Sequence, residues 1–337
     1  MLRSSDLIRL PYTPDLTQGG IGYVCRLLPV LQSWENQPHL SLLQNYIADK
    51  AVELALRRYL NTLEIPHNSL CVTPLSDPNH FDILMGGYRC LIKTQHIFER
   101  DEIRKLRSDP ACLLNRSFTF NADDQIDGIL KYPIIYIFTL TTSLIAKNPC
   151  DQEKAQSHQQ PFYWIHITHL KLKDHKQVDS YGPGSLISKS SRIIHLELGG
   201  YGFDNKFYSE RIHLSPHCRT VIGDNFKSLA YLHAQPCPDG QISIEFPKIK
   251  LRYDIPPYRW DNLWVYGMDI ILCGYTLHHE IFPGSIRGPL QLLYNKPTLP
   301  SPSSTSSRQL EVPFVRLHPM QDLFSRIHDW SQRRGSK

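Results

Sequence analysis

Three side chains stand in an order that suits phosphate chemistry: Glu53 in ADKAVELALRRYL, Asp82 in HFDILMGGYRC and Lys93 in CLIKT. Two carboxylates can hold one or two divalent cations, which polarise a phosphodiester and lower the pKa of a bound water. A lysine beside them stabilises charge or positions the nucleophile. On a strand, positions i and i+2 point to the same face, so the residue preceding Lys93 on its own face is Leu91. A second kind of chemistry, metal ligation by histidine, is suggested by His166 with His169, His213 with His217, and His278-His279-Glu280. Strand geometry sends His166 and His169 to opposite faces, Ser215-Pro216 interrupts the second pair, and the third lacks the helical i, i+4 histidines of H-E-x-x-H. Structural or surface histidine is the default for all three.

The elements that must position these residues are legible in part. Leu42, Leu43, Tyr46, Ile47, Leu54, Leu60 and Leu63 recur at helical spacing, which predicts a helix over about 39–63, stopped by Pro66. Short segments follow: SLCVT, then HFDILM and YRCLIKTQ around Gly86-Gly87. Two strands about a Gly-Gly pair read as a hairpin, because glycine supplies the positive φ of a tight reversal. The charged run 99–107 suits an exposed short helix or loop, with Ile103 and Leu106 its only apolar residues. Strands resume at 117–120, 134–142 and 162–170, the last two separated by a polar stretch of loop composition.

Residues 40–170 resemble the PD-(D/E)xK nuclease superfamily, the restriction-endonuclease-like fold. In that family an opening helix contributes a Glu, and a hairpin carries Asp at its start and (D/E)-x-K on its second strand. Further strands complete a mixed sheet, and DDQIDGILKYPIIYIFTL looks like the next core strand. The resemblance implies a mixed α/β fold and association with nucleic acid, DNA foremost. It also implies a hydrolase in which Asp82 and Glu53 hold Mg²⁺ or Mn²⁺ and Lys93 assists the attacking water. This chain departs from the pattern at Leu91, which cannot ligate magnesium. Asp49 or Glu53 on the helix, Asp77 in the preceding loop, or Gln95, the next same-face residue after Lys93, are the candidate replacements. The other reading is a fold kept without catalysis, as an interaction or assembly module for a protein partner. Each residue also has a plain structural role open to it: Asp82 as a turn-flanking carboxylate, Lys93 as a solvated strand lysine, and Glu53 as a surface partner of Arg57 at i+4.

After a polar, Gly- and Ser-containing segment, the chain becomes β-rich: RIIHLEL, FYSERIHL, QISIEF, IKLRYD and LWVYGMDIILCGYTL, with a short helix expected around 225–234. GGIGY at 19–23 and LGGYGF at 198–203 lack the strand-turn-helix frame of a phosphate loop and read as turns. Within KIKLRYDIPPYRW, Lys248, Lys250, Arg252, Arg259 and Trp260 mix cations with aromatics, as a nucleic-acid surface requires. The expected organisation is an N-terminal extension (1–38), a nuclease-like domain (39–174), a β-rich domain (190–285), a Pro/Ser linker (286–310) and a C-terminal amphipathic helix (311–337). In that helix Leu323, Phe324, Ile327 and Trp330 fall at helical spacing, which predicts docking on the protein's own body.

Composition sets the outer bounds. A chain of 337 residues, 41% hydrophobic and 20% charged, has room for one large domain or two ordinary ones, and is neither a disordered chain nor a disulfide scaffold. A net charge of +5 is too small to argue for a polyanionic partner, so any such surface must be local. The 8 cysteines are dispersed, with no C-x-x-C pair, and suit a reducing compartment. The first residues lack the apolar run of a signal peptide, and the longest apolar-rich stretch, 133–146, is too short to cross a bilayer. The expectation is a cytoplasmic protein with no membrane partner.

Overall fold

The computed structural model describes residues 2–34, 40–68, 81–121, 134–146, 148–168, 183–223, 226–281 and 309–335. The chain runs β1 (Ile8–Leu10), α1 (Pro14–Trp34), α2 (Leu40–Thr62), β2 (His67–Asn68), β3 (Ile83–Met85), β4 (Tyr88–Ile97), α3 (Arg100–Ser108), β5 (Ser117–Asn121) and β6 (Ile134–Leu144). It continues through α4 (Pro149–Ser157), β7 (Trp164–Ile167), β8 (Gly184–Ser188), β9 (Ile194–Gly202), β10 (Phe207–Leu214), β11 (Arg219–Ile222), β12 (Phe226–Gln235), β13 (Ile242–Phe246), β14 (Leu251–Ile255) and β15 (Asp261–Asn262). It ends with β16 (Tyr266–Leu277), α5 (His278–Ile281), β17 (Gln309–Pro313) and α6 (Met320–Gly335). Two compact units result. Unit 1 comprises Met1–Leu16, Asp49–Leu144 and Gly267–Lys337, and unit 2 comprises Thr17–Ala48 and Ile145–Tyr266.

Unit 1 is built on a six-stranded mixed sheet ordered β1-β16-β6-β4-β3-β2. β3 and β4 form the expected hairpin, antiparallel with Ile83 opposite Cys90 and Met85 opposite Tyr88. Gly86 and Gly87 take φ of 57° and 86°, the pair of positive angles that a two-residue turn matched to strand twist demands. After α3 and β5 in the chain comes β6, which pairs parallel to β4 with Leu91 beside Tyr136 and Lys93 beside Phe138. α3 buries Ile103 and Leu106, as its two apolar positions predict. These residues join Leu91, Phe118, Tyr136, Phe138, Leu140 and Phe314 in an apolar cluster on one face of β4 and β6. A Cβ on Gly86 would lie 2.8 Å from Ile327 Cγ1, so the bare turn admits α6, and Phe324 meets the Tyr59 ring at 6.2 Å. The C-terminal helix thus docks on its own unit. The Trp330 side chain lies outside the described residues.

Unit 2 pairs a five-stranded antiparallel sheet, β10-β9-β12-β7-β15, with a four-stranded one, β11-β8-β13-β14. Their facing residues form one core, with Leu196, Leu198, Ile212, Leu214, Leu232 and Ala234 from the first sheet and Leu186, Ile222, Ile242, Ile244, Phe246 and Ile255 from the second.

Several expectations are corrected by the structure. Segment 1–38 is more than an extension: β1 pairs with β16 in the main sheet, and α1 runs through GGIGY, which is helix rather than turn. A Cβ on Gly20 would sit 2.4 Å from the Ile47 carbonyl oxygen, so glycine there lets α1 approach α2. The helix expected at 225–234 is strand β12, and LGGYGF lies largely in β9. β7, expected with the nuclease-like segment, pairs with β12 and β15 instead. Asp77, His169, SLCVT, DDQIDGILKYP and residues 286–308 of the Pro/Ser linker lie outside the described residues, and the linker's last two residues are not linker but the start of β17. Among the described residues, no helix is long and apolar enough to cross a membrane.

Candidate functional site

The predicted acid Glu53 sits on α2 in the body of unit 1 at 6% exposure, so it is not a surface carboxylate. Its two oxygens are each held by a cation one helical turn away, with Lys50 Nζ 2.7 Å from Oε2 and Arg57 Nη2 2.5 Å from Oε1. Burial pushes its pKa up, Lys50 and Arg57 pull it back, and the charge of Asp82 adds to the rise. Glu53 and Asp82 share one neighbour. Arg57 links them physically, since its Nη2 also donates to the Asp82 carbonyl oxygen at 3.1 Å.

Asp82 does a backbone's work. Its N–H donates to the Cys90 carbonyl at 3.0 Å, and its Oδ2 accepts from the Ile92 N–H at 2.7 Å. The carboxylate thus continues the β3–β4 ladder one step past the strand end, where the Ile92 donor would otherwise be left over. Asp82→Ala is expected to lower the unfolding free energy by about 2 kcal/mol by orphaning that N–H, whereas Asp82→Asn keeps an acceptor and should cost less than half as much. Urea denaturation of both variants checks this, and equal losses would contradict the assigned role.

Leu91 lies where the family pattern has its second acid. It is 9% exposed, in the apolar cluster with Phe81, Tyr136 and Phe138. Lys93 and Gln95 follow on the same face of β4, in register with Phe138 and Leu140. Thr94 and His96 face the other way. Thr139 Oγ1 meets Thr94 Oγ1 at 3.0 Å, and His96 Nε2 lies 2.9 Å from Asp49 Oδ1. Asp49 is thus engaged by a histidine on the face opposite Leu91 and Lys93. Among the described residues, the buried Gln95 amide oxygen has no hydrogen-bond partner.

Among the described residues, this donor set does not fit the Mg²⁺ or Mn²⁺ ion that the resemblance implies. Hard cations need several carboxylate or carbonyl oxygens converging at one point. Here Glu53 Oε2 accepts a hydrogen bond from Lys50 and Oε1 is paired with Arg57 by charge without hydrogen-bond geometry, an Asp82 oxygen answers an amide, and Leu91 supplies none. Among the described residues, no three His, Cys, Asp or Glu side chains group around a common metal position. Sequence reasoning missed Lys50 and His96. The i, i+3 spacing of Lys50 and Glu53 was available as a signal, whereas the Asp49–His96 contact depends on strand placement.

The basic segment of unit 2 is reshaped in the same way. Trp260 is 5% exposed and belongs to the sandwich core, so its ring is no platform for a base. Arg252 is bonded within its own sheet to Glu245 at 2.8 Å and Asp254 at 3.0 Å. Lys248, Lys250 and Arg259 remain of the predicted set, and Tyr258, at 82% exposure, is the aromatic that meets solvent. Of the candidate histidines, His166 and His278 make structural contacts. His166 donates from Nδ1 to the Arg259 carbonyl at 3.0 Å and accepts at Nε2 from the Tyr253 hydroxyl at 2.9 Å. Glu280 accepts from the Thr276 hydroxyl and the Leu277 N–H, and His318 Nε2 lies 2.9 Å from it. His278 Nδ1 lies 3.1 Å from the Tyr136 hydroxyl.

No family model, no curated protein and no solved structure matches this chain.

Proposed function

We propose that unit 1 is a nuclease-like α/β scaffold without hydrolytic chemistry, serving as an interaction module for a protein partner. The carrying observation is Leu91, packed into the apolar cluster at the position where phosphodiester hydrolysis requires an oxygen ligand. The order of helix α2, hairpin β3–β4, crossover helix α3 and parallel strand β6 supports the nuclease-like part of the reading. So does Arg57, whose Nη2 meets both Glu53 Oε1 and the Asp82 carbonyl oxygen. The commitments of both carboxylates support the silent part, because a metal would have to compete with Lys50 and Arg57 for Glu53 and with the Ile92 N–H for Asp82. The internal pairing of Arg252 and the burial of Trp260 weaken the case for a phosphate-tracking surface and favour protein over nucleic acid as the partner.

Incubation of the full chain with supercoiled DNA, single-stranded DNA and RNA in Mg²⁺ and in Mn²⁺ tests the reading. The expected result is no cleavage above that of the Asp82→Asn variant. Metal-dependent cleavage that disappears in Asp82→Asn or Lys93→Ala would overturn it.

A further inference from the structure

The period-2 alternation of unit 2 leaves one face of the five-stranded sheet to the core and builds something else on the other. Cross-strand register sets Gln235, His195 and His213 in one row, and His233, Glu197 and Arg211 in the next. Their neighbours Leu196, Ile212 and Ala234 point into the core, so all six polar side chains share the outer face. With strands about 4.8 Å apart and same-face residues about 6.7 Å apart along a strand, the grid covers roughly 10 by 7 Å. It lines a cavity of about 750 Å³, within the size range of small-molecule sites.

The chemistry of the lining narrows the ligand. Glu197 Oε2 lies 3.1 Å from Arg211 Nε, and Glu197 Oε1 accepts from the Tyr231 hydroxyl at 2.9 Å. The Tyr231 ring is admitted by Gly199, whose Cβ would fall 2.1 Å from it. The formal charges of Glu197 and Arg211 cancel, and burial holds His233 neutral at pH 7, so an anion gains no net attraction. The grid offers a donor-only group in Arg211, an acceptor-only group in Glu197, and groups that do both in His195, His213 and Gln235. Hydroxyls, which donate and accept at once, match that mixture. A flat aromatic step completes it: the Tyr163 and His233 rings stack at 3.6 Å and 1°, and Trp264 also borders the space.

We propose that this cavity on the outer face of the five-stranded sheet is a binding site for a neutral saccharide of one or two rings, its hydroxyls read by the Glu197–Arg211 and His195–His213 rows. The proposal is independent of the reading of unit 1. The test is titration of the full chain, followed by tryptophan fluorescence and calorimetry, with maltose, cellobiose, lactose and diacetylchitobiose. An array of neutral glycans widens the screen, and inorganic phosphate and adenosine monophosphate are the charged comparators. Arg211→Ala and His213→Ala alter exposed side chains, and circular dichroism verifies their fold. The expected result is saturable binding of at least one neutral sugar, weakened about tenfold or more in each variant and not displaced by phosphate. Three outcomes would overturn it: no neutral sugar binding up to tens of millimolar, binding unchanged in both variants, or displacement by either anion.

Discussion

Glu53→Ala is expected to lower the unfolding free energy of the protein by about 3 kcal/mol, because it strands Lys50 and Arg57 as largely buried charges without their counterion. The direction is diagnostic. An acid kept in a buried site for catalysis, with its pKa raised and no structural task, tends to stabilise a fold when it is removed. An acid that neutralises two cations does the reverse. Glu53 has both the raised pKa and the two cations, and the distances of 2.7 and 2.5 Å decide for the structural role. Replacing all three residues by apolar ones of similar size should recover most of the loss, since a buried ion cluster is costly to desolvate and worth little beyond its own mutual satisfaction. Chemical denaturation of the single and triple variants checks both halves. A neutral or stabilising Glu53→Ala would contradict the assignment.

Acidification should weaken unit 2 through His233. Its pKa is pushed down to about 4 from the ordinary 6.5, chiefly by burial, with Glu197 opposing that shift and Arg211 adding to it. A folded pKa below the unfolded one means that the unfolded chain takes the proton first. The contribution is therefore complete above pH 6.5 and is lost as pH falls towards 4. The gap corresponds to about 3 kcal/mol. Trp164, Trp260 and Trp264 all belong to this unit, so tryptophan fluorescence can follow its unfolding at each pH. His233→Phe removes the titration and should flatten the loss between pH 6.5 and 4. The same slope in the variant would assign the acid sensitivity elsewhere.

Much of unit 1 is legible in the sequence because local signals agree with tertiary ones there. The apolar spacing of 39–63 gives α2 (Leu40–Thr62) almost to the residue, and Gly86-Gly87 gives the hairpin turn. β12 is the instructive failure. Its pairing with β9 carries register shifts between Phe226 and Ser228 and between Leu229 and Tyr231, so its apolar residues lose strict alternation and mimic a helix. What makes it a strand is pairing to β9 on one side and β7 on the other, which no local window contains. α1 fails differently: of the glycines that read as a turn, Gly20 is there because Ile47 approaches too closely for a side chain.

The candidate site divides along the same line. That Glu53 precedes Asp82 and Lys93 in a helix–hairpin order is a property of the sequence, and so is the loss of an acid at Leu91. What the carboxylates are bonded to is not. The Asp82–Ile92 bond follows from where the ladder ends, and the Asp49–His96 contact from which face of β4 lies towards α2. The polar grid of unit 2 is written as alternation in IHLELGG and SERIHL, yet its rows exist only through cross-strand register, which alternation alone does not fix.

Calorimetric titration of the full chain with Mn²⁺, beside Asp82→Asn, tests the central claim most directly. A leucine-filled site with engaged carboxylates predicts no saturable heat and no difference between the two proteins. One Mn²⁺ bound per chain and lost in Asp82→Asn would contradict the claim and restore unit 1 as a metal-dependent hydrolase.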